Sequence, residues 1–224
     1  MRGDTALSLK SAALPSQARP SAPNAMREPG GFKETAFRLS AGVIKWLERR
    51  FSTTLGLFRW YGERFYRQVL EDELDLTRLA QGARVLHIGA GALPYTAWYL
   101  AERGYVVDAI DHDPQTLNCA QKLLAETGVA DRVRVMAQDG LRVDATDYAA
   151  IWISLHVCHK EAILTRLIRT AKPGCWIIYR EPRNWLNLFY RGVHRSFGPS
   201  GQPEGSCTHR LGKQSIAIRA TKGA

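Results

Sequence analysis

Two glycines and two aspartates, at three places along the chain, have the types and spacing of a nucleoside site. Gly89 and Gly91 lie in the stretch HIGAGALPYT, Asp111 follows about 20 residues later, and Asp139 comes directly before Gly140. Glycines at a strand-to-helix turn let backbone amides approach a ligand closely, and a carboxylate at this interval can accept both hydroxyls of a ribose. The second carboxylate could bond an adenine amino group. The pattern predicts that these residues bind one nucleoside together.

The same turn excludes two common nucleotide sites. A dinucleotide site has a third glycine, as in G-x-G-x-x-G, and Pro94 stands at that place. No Gly-Lys-Ser or Gly-Lys-Thr sequence follows, so a phosphate-binding loop is excluded as well. The turn therefore favours a nucleoside without a pyrophosphate.

Alternating strands and helices would bring these residues to one edge of a sheet. The glycine turn lies between a buried strand over 83–86 and a helix over 94–103. Further strands are predicted at 105–111, 132–140, 148–157, 175–182 and 215–220, and further helices at 114–127 and 160–171. The fold class is α/β: a mostly parallel, Rossmann-like sheet with helices on both faces, which binds ligands at the carboxyl ends of its strands. Residues 194–214, which contain GPSGQPEG, read as a loop, so a sixth strand before the last one is not predicted.

Three other side chains at predicted strand ends are candidates for the substrate side of the site. His156 stands near the end of the predicted fourth strand and could accept a proton from an attacking amine or hydroxyl; the alternative is a half-buried histidine bonded to backbone. Arg180 and Arg183 end the fifth strand, and two arginines there would suit a carboxylate or phosphate on the substrate. The histidines and cysteines near residues 156–159 and 207–209 lack metal-ligand spacing, so no metal site is predicted.

The segment from about Ala83 to Arg219 resembles the class I S-adenosylmethionine-dependent methyltransferase superfamily through the glycine turn and the stretches AIDHDP and AQDG. The resemblance implies S-adenosylmethionine as the cofactor, with Gly89 and Gly91 at its methionine part, Asp111 at its ribose and Asp139 at its adenine. It also implies three further cofactor-binding residues, namely His87, His112 and Gly140. His87 stands where most of these methyltransferases have Asp or Glu.

A narrower resemblance is carried by the stretch IGAGALPYT, which is similar to the GSGPLPLT turn of nicotianamine synthases. These enzymes and their bacterial opine-metallophore relatives transfer the aminobutanoyl group of the cofactor rather than its methyl group. The stretches HKEAILTRL, PGCWIIYR and QSIAIR fit the same pattern loosely. Tyr95 replaces the leucine of that family's turn and is a candidate substrate-binding residue.

Three functions follow as hypotheses, because one fold hosts different chemistries. The leading one is methyl transfer to a small-molecule or lipid-like acceptor, whose nucleophile attacks the methyl carbon in line. The second is aminobutanoyl transfer to an amine, with release of methylthioadenosine. The third is a non-catalytic basic module that binds a membrane or a protein partner.

The chain before residue 77 carries a different kind of sequence. Residues 1–30 are rich in proline, serine and alanine and are predicted to be a disordered leader, with Met26 as an alternative start of translation. Residues 31–76 have helical periodicity with a break at 52–54, and their aromatic stretch at 57–66 would pack on the core or form a lid over the site. Residues 77–224 form the predicted cofactor-binding α/β domain.

Charge and composition limit the partners and the compartment. The net charge of +10 comes from the flanks: residues 1–70 have 12 basic and 5 acidic residues, residues 71–182 have 12 and 15, and residues 183–224 have 7 and 1. Basic flanks could contact a membrane surface peripherally, whereas the lack of an RNA-binding or zinc-finger signature argues against nucleic acid. No apolar run approaches the roughly 18 residues of a membrane span. The four scattered cysteines indicate a reducing, cytoplasmic setting.

Overall fold

The computed structural model describes residues 55–184, 186, 192–193, 197, 201–209 and 213–221. The predicted leader over 1–30 and the N-terminal helical segment before residue 55 lie outside the described residues. The described elements, in chain order, are α1 (Leu55–Phe65), α2 (Arg67–Thr77), β1 (Arg84–Ile88), α3 (Tyr95–Glu102), β2 (Val106–Asp111), α4 (Pro114–Ala125), β3 (Val133–Ala137), a short 3-10 helix (Gly140–Arg142), β4 (Ala150–Ile153), α5 (Lys160–Thr170), β5 (Trp176–Pro182), β6 (Pro203–His209) and β7 (Lys213–Arg219).

The strands form a seven-stranded sheet in the order β3-β2-β1-β4-β5-β7-β6. The first five strands in this order are parallel, and β7 runs antiparallel to both β5 and β6. The order reverses at β1, where β2 lies on one side and β4 on the other. This is the predicted mostly parallel Rossmann-like sheet, and its switch point is where such sheets bind ligands.

The central strands are buried on both faces, as their continuous apolar runs predict. Val85 of β1 faces a cluster that contains Phe58, Tyr95 and Trp98, whereas its neighbour Leu86 faces a second cluster built on α5. Successive side chains of a strand point to opposite faces of the sheet. Two neighbouring apolar residues of a central strand therefore contribute to the two clusters, one on each face. Helices therefore cover the sheet on both sides.

The predicted loop over 194–214 is wrong for its second half, which forms β6. This strand lies at the edge of the sheet and pairs with β7 from Pro203 opposite Ile218 to His209 opposite Lys213. Most of its side chains are exposed and polar, and its register shifts between Pro203 and Gly205. Edge strands tolerate such residues because one side of the backbone needs no partner strand, and they give little apolar signal in the sequence.

Helix α1 combines the two packing alternatives left open by its aromatic stretch. Phe58 is buried against the rings of Tyr95 and Trp98, with centroids 5.7 Å and 5.6 Å away. Tyr61 lines the cleft described below, together with Tyr66 at the break between α1 and α2. The break at Tyr66 was not predicted. One face of α1 thus packs on the core and another faces the cleft.

Gly62 allows the close approach of α1 to Tyr95. A Cβ atom at residue 62 would lie 1.7 Å from two ring carbons of Tyr95, which real packing does not permit. Gly62→Ala should therefore lower the free energy of unfolding by about 1–3 kcal/mol or more, as overpacking does, in a urea titration. Gly56→Ala is the matched control on the same helix, because no described atom lies within 4 Å of its Cβ position. It should be neutral or stabilising by up to about 1 kcal/mol, and equal unfolding midpoints for the two variants would contradict the close packing of α1 on Tyr95.

No helix among the described residues is both long and apolar enough to cross a membrane.

Candidate active site

A cleft of about 620 Å³ lies at the carboxyl ends of the parallel strands. All the predicted site residues except Arg183 line it. Those residues are His87, Gly89, Gly91, Tyr95, Asp111, His112, Asp139, Gly140, His156 and Arg180. The fold thus brings together groups that are up to 93 positions apart in the sequence.

The glycine turn, Gly89–Gly91, follows β1 and forms the floor of the cleft. Gly89 and Gly91 have φ of +81° and +67°, a region that favours glycine. The amides of Gly89 and Ala90 donate to the carbonyl oxygen of Ile110, at 2.9 and 3.0 Å. A Cβ atom on Gly89 would lie 2.5 Å from Cγ2 of Val157, so a larger residue there would displace the loop after β4.

Asp111, the last residue of β2, joins this turn to the start of α4. Its Oδ2 accepts from the Gly91 amide at 3.0 Å, and its Oδ1 accepts from the Asp113 amide at 3.1 Å. Nδ1 of His112 lies 3.2 Å from Oδ1. The half-buried carboxylate is therefore held by two backbone donors and still lines the cleft.

Asp139 lies two residues after the end of β3. Its Oδ1 accepts from the Leu141 amide at 2.9 Å and so caps the short 3-10 helix that Gly140 begins. Gly140 is buried, and a Cβ atom there would lie 3.0 Å from side-chain carbons of Ile88 and Ile163. A larger residue at position 140 would have to push these core side chains aside.

His87 is a neutral residue at the end of β1. It is buried, and its Nε2 lies 2.9 Å from Oγ of Ser154 at the end of β4. Burial and the positive charge of Arg180 lower the pKa of His87 to about 3, so the ring is uncharged at neutral pH. Its Nδ1 has no hydrogen-bond partner among the described residues.

Arg180 reaches the cleft with its charge already matched by Glu73. Its Nε and Nη2 donate to the two carboxylate oxygens of Glu73, both at 2.8 Å, and its Nη1 donates to Oγ1 of Thr96 at 3.2 Å. Burial opposes the charge on Arg180, but Glu73 more than offsets this and raises its pKa. Arg183 is exposed and donates to Oγ1 of Thr208 at 2.8 Å. The two arginines therefore do not meet at the cleft: Arg180 lines it and is paired with Glu73, whereas Arg183 is not among the lining residues.

Tyr95 contributes its ring to the cleft wall. The ring is buried among Phe58, Tyr66 and neighbouring aromatic side chains, and the hydroxyl donates to Oε1 of Glu63 at 3.1 Å. Burial, followed by the charge and hydrogen bond of Glu63, raises the pKa of Tyr95. Tyr95 therefore presents a neutral phenol anchored to α1.

Basic groups surround His156 at the ends of β4, β5 and β7. Burial and the charges of Lys213, Lys160 and Arg180 lower the pKa of His156 to about 4. Lys160 is buried; its Nζ donates to the carbonyl oxygens of Leu155 and Arg180, at 3.1 and 2.6 Å, and burial lowers its pKa to about 8. His156 is therefore neutral at pH 7.

Sequence reasoning missed Glu73, Lys160, Ser154 and Lys213. The stretch EDELDLT of α2 looks like a solvated acidic helix, yet Glu73 lies three residues after buried Leu70 and four before buried Thr77. That spacing was the available signal for a buried carboxylate. The described residues contain no group of three potential metal ligands.

Two comparisons of sequence bear on this site. The nicotianamine synthase protein family model matches residues 48–196. The L-histidine 2-aminobutanoyltransferase of Yersinia pestis is 34% identical over 127 residues, which cover 55% of this chain and 47% of that protein. The chain spans about half the length of the curated relatives it matches.

Solved structures share the fold. A mutant of MtNAS in complex with S-adenosylmethionine has a TM-score of 0.71 at 18% identity, over 84% of this chain and 76% of that chain. An RNA methyltransferase from Salinibacter ruber in complex with S-adenosyl-L-homocysteine has a TM-score of 0.57 at 17% identity. The match covers 70% of this chain and 94% of that chain. These likenesses show the fold alone. The family match, however, spans about two thirds of the chain and includes every strand from β1 to β5, so the chain belongs to the nicotianamine synthase protein family.

Proposed function

We propose that this protein transfers the aminobutanoyl group of S-adenosylmethionine to an amine. The observation that carries the proposal is the family match, because it contains the glycine turn, Asp111, Asp139 and His156. The name of the Yersinia pestis relative supports the same group transfer and suggests L-histidine as an acceptor. Methyl transfer, the leading hypothesis from the sequence alone, is supported only by a fold that this chain shares with methyltransferases.

The residues of the cleft fit such a ligand. The volume of the cleft, about 620 Å³, lies in the range of small-molecule sites. In the proposed complex the glycine turn holds the methionine part, Asp111 the ribose hydroxyls and Asp139 the adenine. His87, His112 and Gly140 complete the walls. When bound, S-adenosylmethionine supplies a positively charged sulfur that activates its attached carbons.

The transfer needs a neutral amine and an acceptor for its proton. The amine nitrogen forms a bond to the aminobutanoyl carbon next to sulfur, that carbon–sulfur bond breaks, and methylthioadenosine leaves with the electron pair. His156 is the candidate proton acceptor, since its ring is neutral and lines the cleft. Burial and the nearby cations, which together keep His156 neutral, also disfavour a charged ammonium group on the acceptor.

Product analysis tests the proposal directly. The purified chain is incubated with S-adenosylmethionine and L-histidine, and nucleoside products are separated by liquid chromatography with mass detection. Aminobutanoyl transfer should release methylthioadenosine in equal amount to an aminobutanoyl-histidine product. Release of S-adenosylhomocysteine would instead support methyl transfer. Cofactor binding by calorimetry with no turnover on a panel of amines would favour the non-catalytic module.

The predicted cytoplasmic setting and peripheral membrane contact stay predictions. Most basic residues of the first flank precede residue 55, outside the described residues. Salt-sensitive binding to anionic vesicles would test the membrane contact.

A further inference from the structure

The cleft has an acidic half and a basic half. Asp111 and Asp139 lie at the ends of β2 and β3, on one side of the switch point. Arg180 and Lys213 lie at β5 and β7, on the other side. The sheet order thus separates the carboxylates from the cations along one edge.

Lys213 is placed on this edge by the antiparallel direction of β7. It is the first residue of β7 and pairs in register with Pro182, the last residue of β5. Its Nζ lies 4.6 Å from the ring centroid of Tyr66, which also lines the cleft. Lys213 therefore faces the cleft beside an aromatic wall.

The cations of the basic half differ in how their charge is matched. Arg180 has Glu73 at 2.8 Å, and Lys160 has two carbonyl oxygens and Glu181 at 4.0 Å. Within the described part of the chain, Lys213 has no carboxylate within ion-pair distance. Its Nζ instead lies over the ring of Tyr66. An anionic group on a bound molecule would gain a charge-assisted hydrogen bond from Lys213 without breaking an existing ion pair.

The position of Lys213 along the sheet indicates which substrate carries that anion. From β1 to β7 there are three strand spacings, through β4 and β5, and each is about 4.8 Å, so Lys213 stands about 14 Å along the edge from the glycine turn. The methionine part of the donor is assigned to that turn, and His156, the candidate proton acceptor, lies at the end of β4 between the two. The far side of His156 is the place for the acceptor.

We propose that Lys213 binds the carboxylate of an amino-acid acceptor and is thereby a specificity-determining residue of the transfer. This inference rests on the proposed transfer to an amine. Lys213 lies outside residues 48–196, the part of the chain that the family model matches.

The test compares L-histidine with histamine, which lacks the carboxylate. Both are titrated by calorimetry into the full chain saturated with methylthioadenosine, and both are assayed for kcat/KM with S-adenosylmethionine. The wild type should prefer L-histidine by about 10- to 100-fold, the range of one hydrogen bond to a charged group. Lys213→Gln should lose this preference by weakening L-histidine alone, whereas Lys213→Arg should keep most of it. Lys122→Gln, an exposed lysine of α4 outside the cleft, is the charge-matched control and should behave as the wild type.

Several results would overturn the assignment of Lys213. These are equal affinity for the two ligands, binding of neither, or a preference that survives in Lys213→Gln. Weaker binding of S-adenosylmethionine with unchanged binding of methylthioadenosine in Lys213→Gln would place Lys213 at the donor's carboxylate and would also overturn it. A binding preference with no release of methylthioadenosine would support the carboxylate site and count against the transfer reaction, so the two failures are distinguishable.

Discussion

Replacing Glu73 by glutamine should lower the free energy of unfolding by about 3–5 kcal/mol, the usual cost of leaving a buried charge without its partner. Glu73 is fully buried and accepts hydrogen bonds from Arg180, Trp152 and Ser215, which belong to β5, β4 and β7. A glutamine has one acceptor oxygen and would turn an amide toward one of these donors. Urea unfolding followed by far-UV circular dichroism measures the loss.

Two variants separate the ion pair from other effects of charge on α2. Glu71→Gln changes a half-exposed carboxylate on the same helix, which bonds Arg67 and Arg103, and should cost less than about 1 kcal/mol. The double variant Glu73→Gln with Arg180→Met removes both charges and should recover part of the stability lost in Glu73→Gln. A Glu73→Gln protein within about 1 kcal/mol of the wild type would contradict the buried ion pair.

The same pair predicts how acid affects stability. Burial raises the pKa of Glu73, but the charge and hydrogen bonds of Arg180 and the hydrogen bond of Ser215 more than offset this, so its pKa in the folded state is lowered. The stabilisation is therefore present above the unfolded pKa, about 4.3, and is lost as pH falls through the folded pKa. The difference in unfolding free energy between wild type and Glu73→Gln should narrow below about pH 4.

The sheet was predictable because its central strands carry strong local signals. The run AIWI of β4 is buried at every position, and the Asp113 side chain caps α4 just before Pro114. Strand β6 was not predictable in this way, because its partner β7 rather than its own apolar pattern holds it. Its recognition needs the rest of the sheet.

The residues of the site likewise fall into those that local sequence signals predict and those that depend on distant pairings. Gly89, Asp111 and Asp139 were predictable because each lies within two residues of the carboxyl end of a parallel strand, where topology fixes its position. Arg180 was predicted at the cleft, but its ion pair with Glu73 joins residues 107 positions apart, which no local pattern records. Lys213 was missed because it lies within the segment predicted to be a loop, whereas in the structure it begins an antiparallel strand at the cleft. Pairings over long sequence distances thus decide which charges remain available to a ligand.

The second large effect is expected at Asp111. Asp111→Asn should weaken binding of S-adenosylmethionine, S-adenosylhomocysteine and methylthioadenosine alike, each by about 100-fold or more, because all three contain the ribose. Two hydrogen bonds to a charged acceptor contribute about 1.5–3 kcal/mol each, and 1.4 kcal/mol is tenfold in affinity. The asparagine amide would also point at a backbone donor, since the amides of Gly91 and Asp113 bond different oxygens of Asp111.

Calorimetric titration of the three nucleosides measures this effect, with Asp131→Asn as the control. Asp131 is exposed before β3 and does not line the cleft, so its change should leave all three affinities unaltered. Unchanged affinities in Asp111→Asn would mean that the carboxylate only braces the glycine turn. Weaker binding of the two larger nucleosides with unchanged methylthioadenosine would place Asp111 at the donor's amino group instead of its ribose. A uniform loss of affinity that exceeds the loss of unfolding free energy in the same variant, measured by urea titration, is the result that supports the ribose assignment. A distorted turn alone would lower both quantities together.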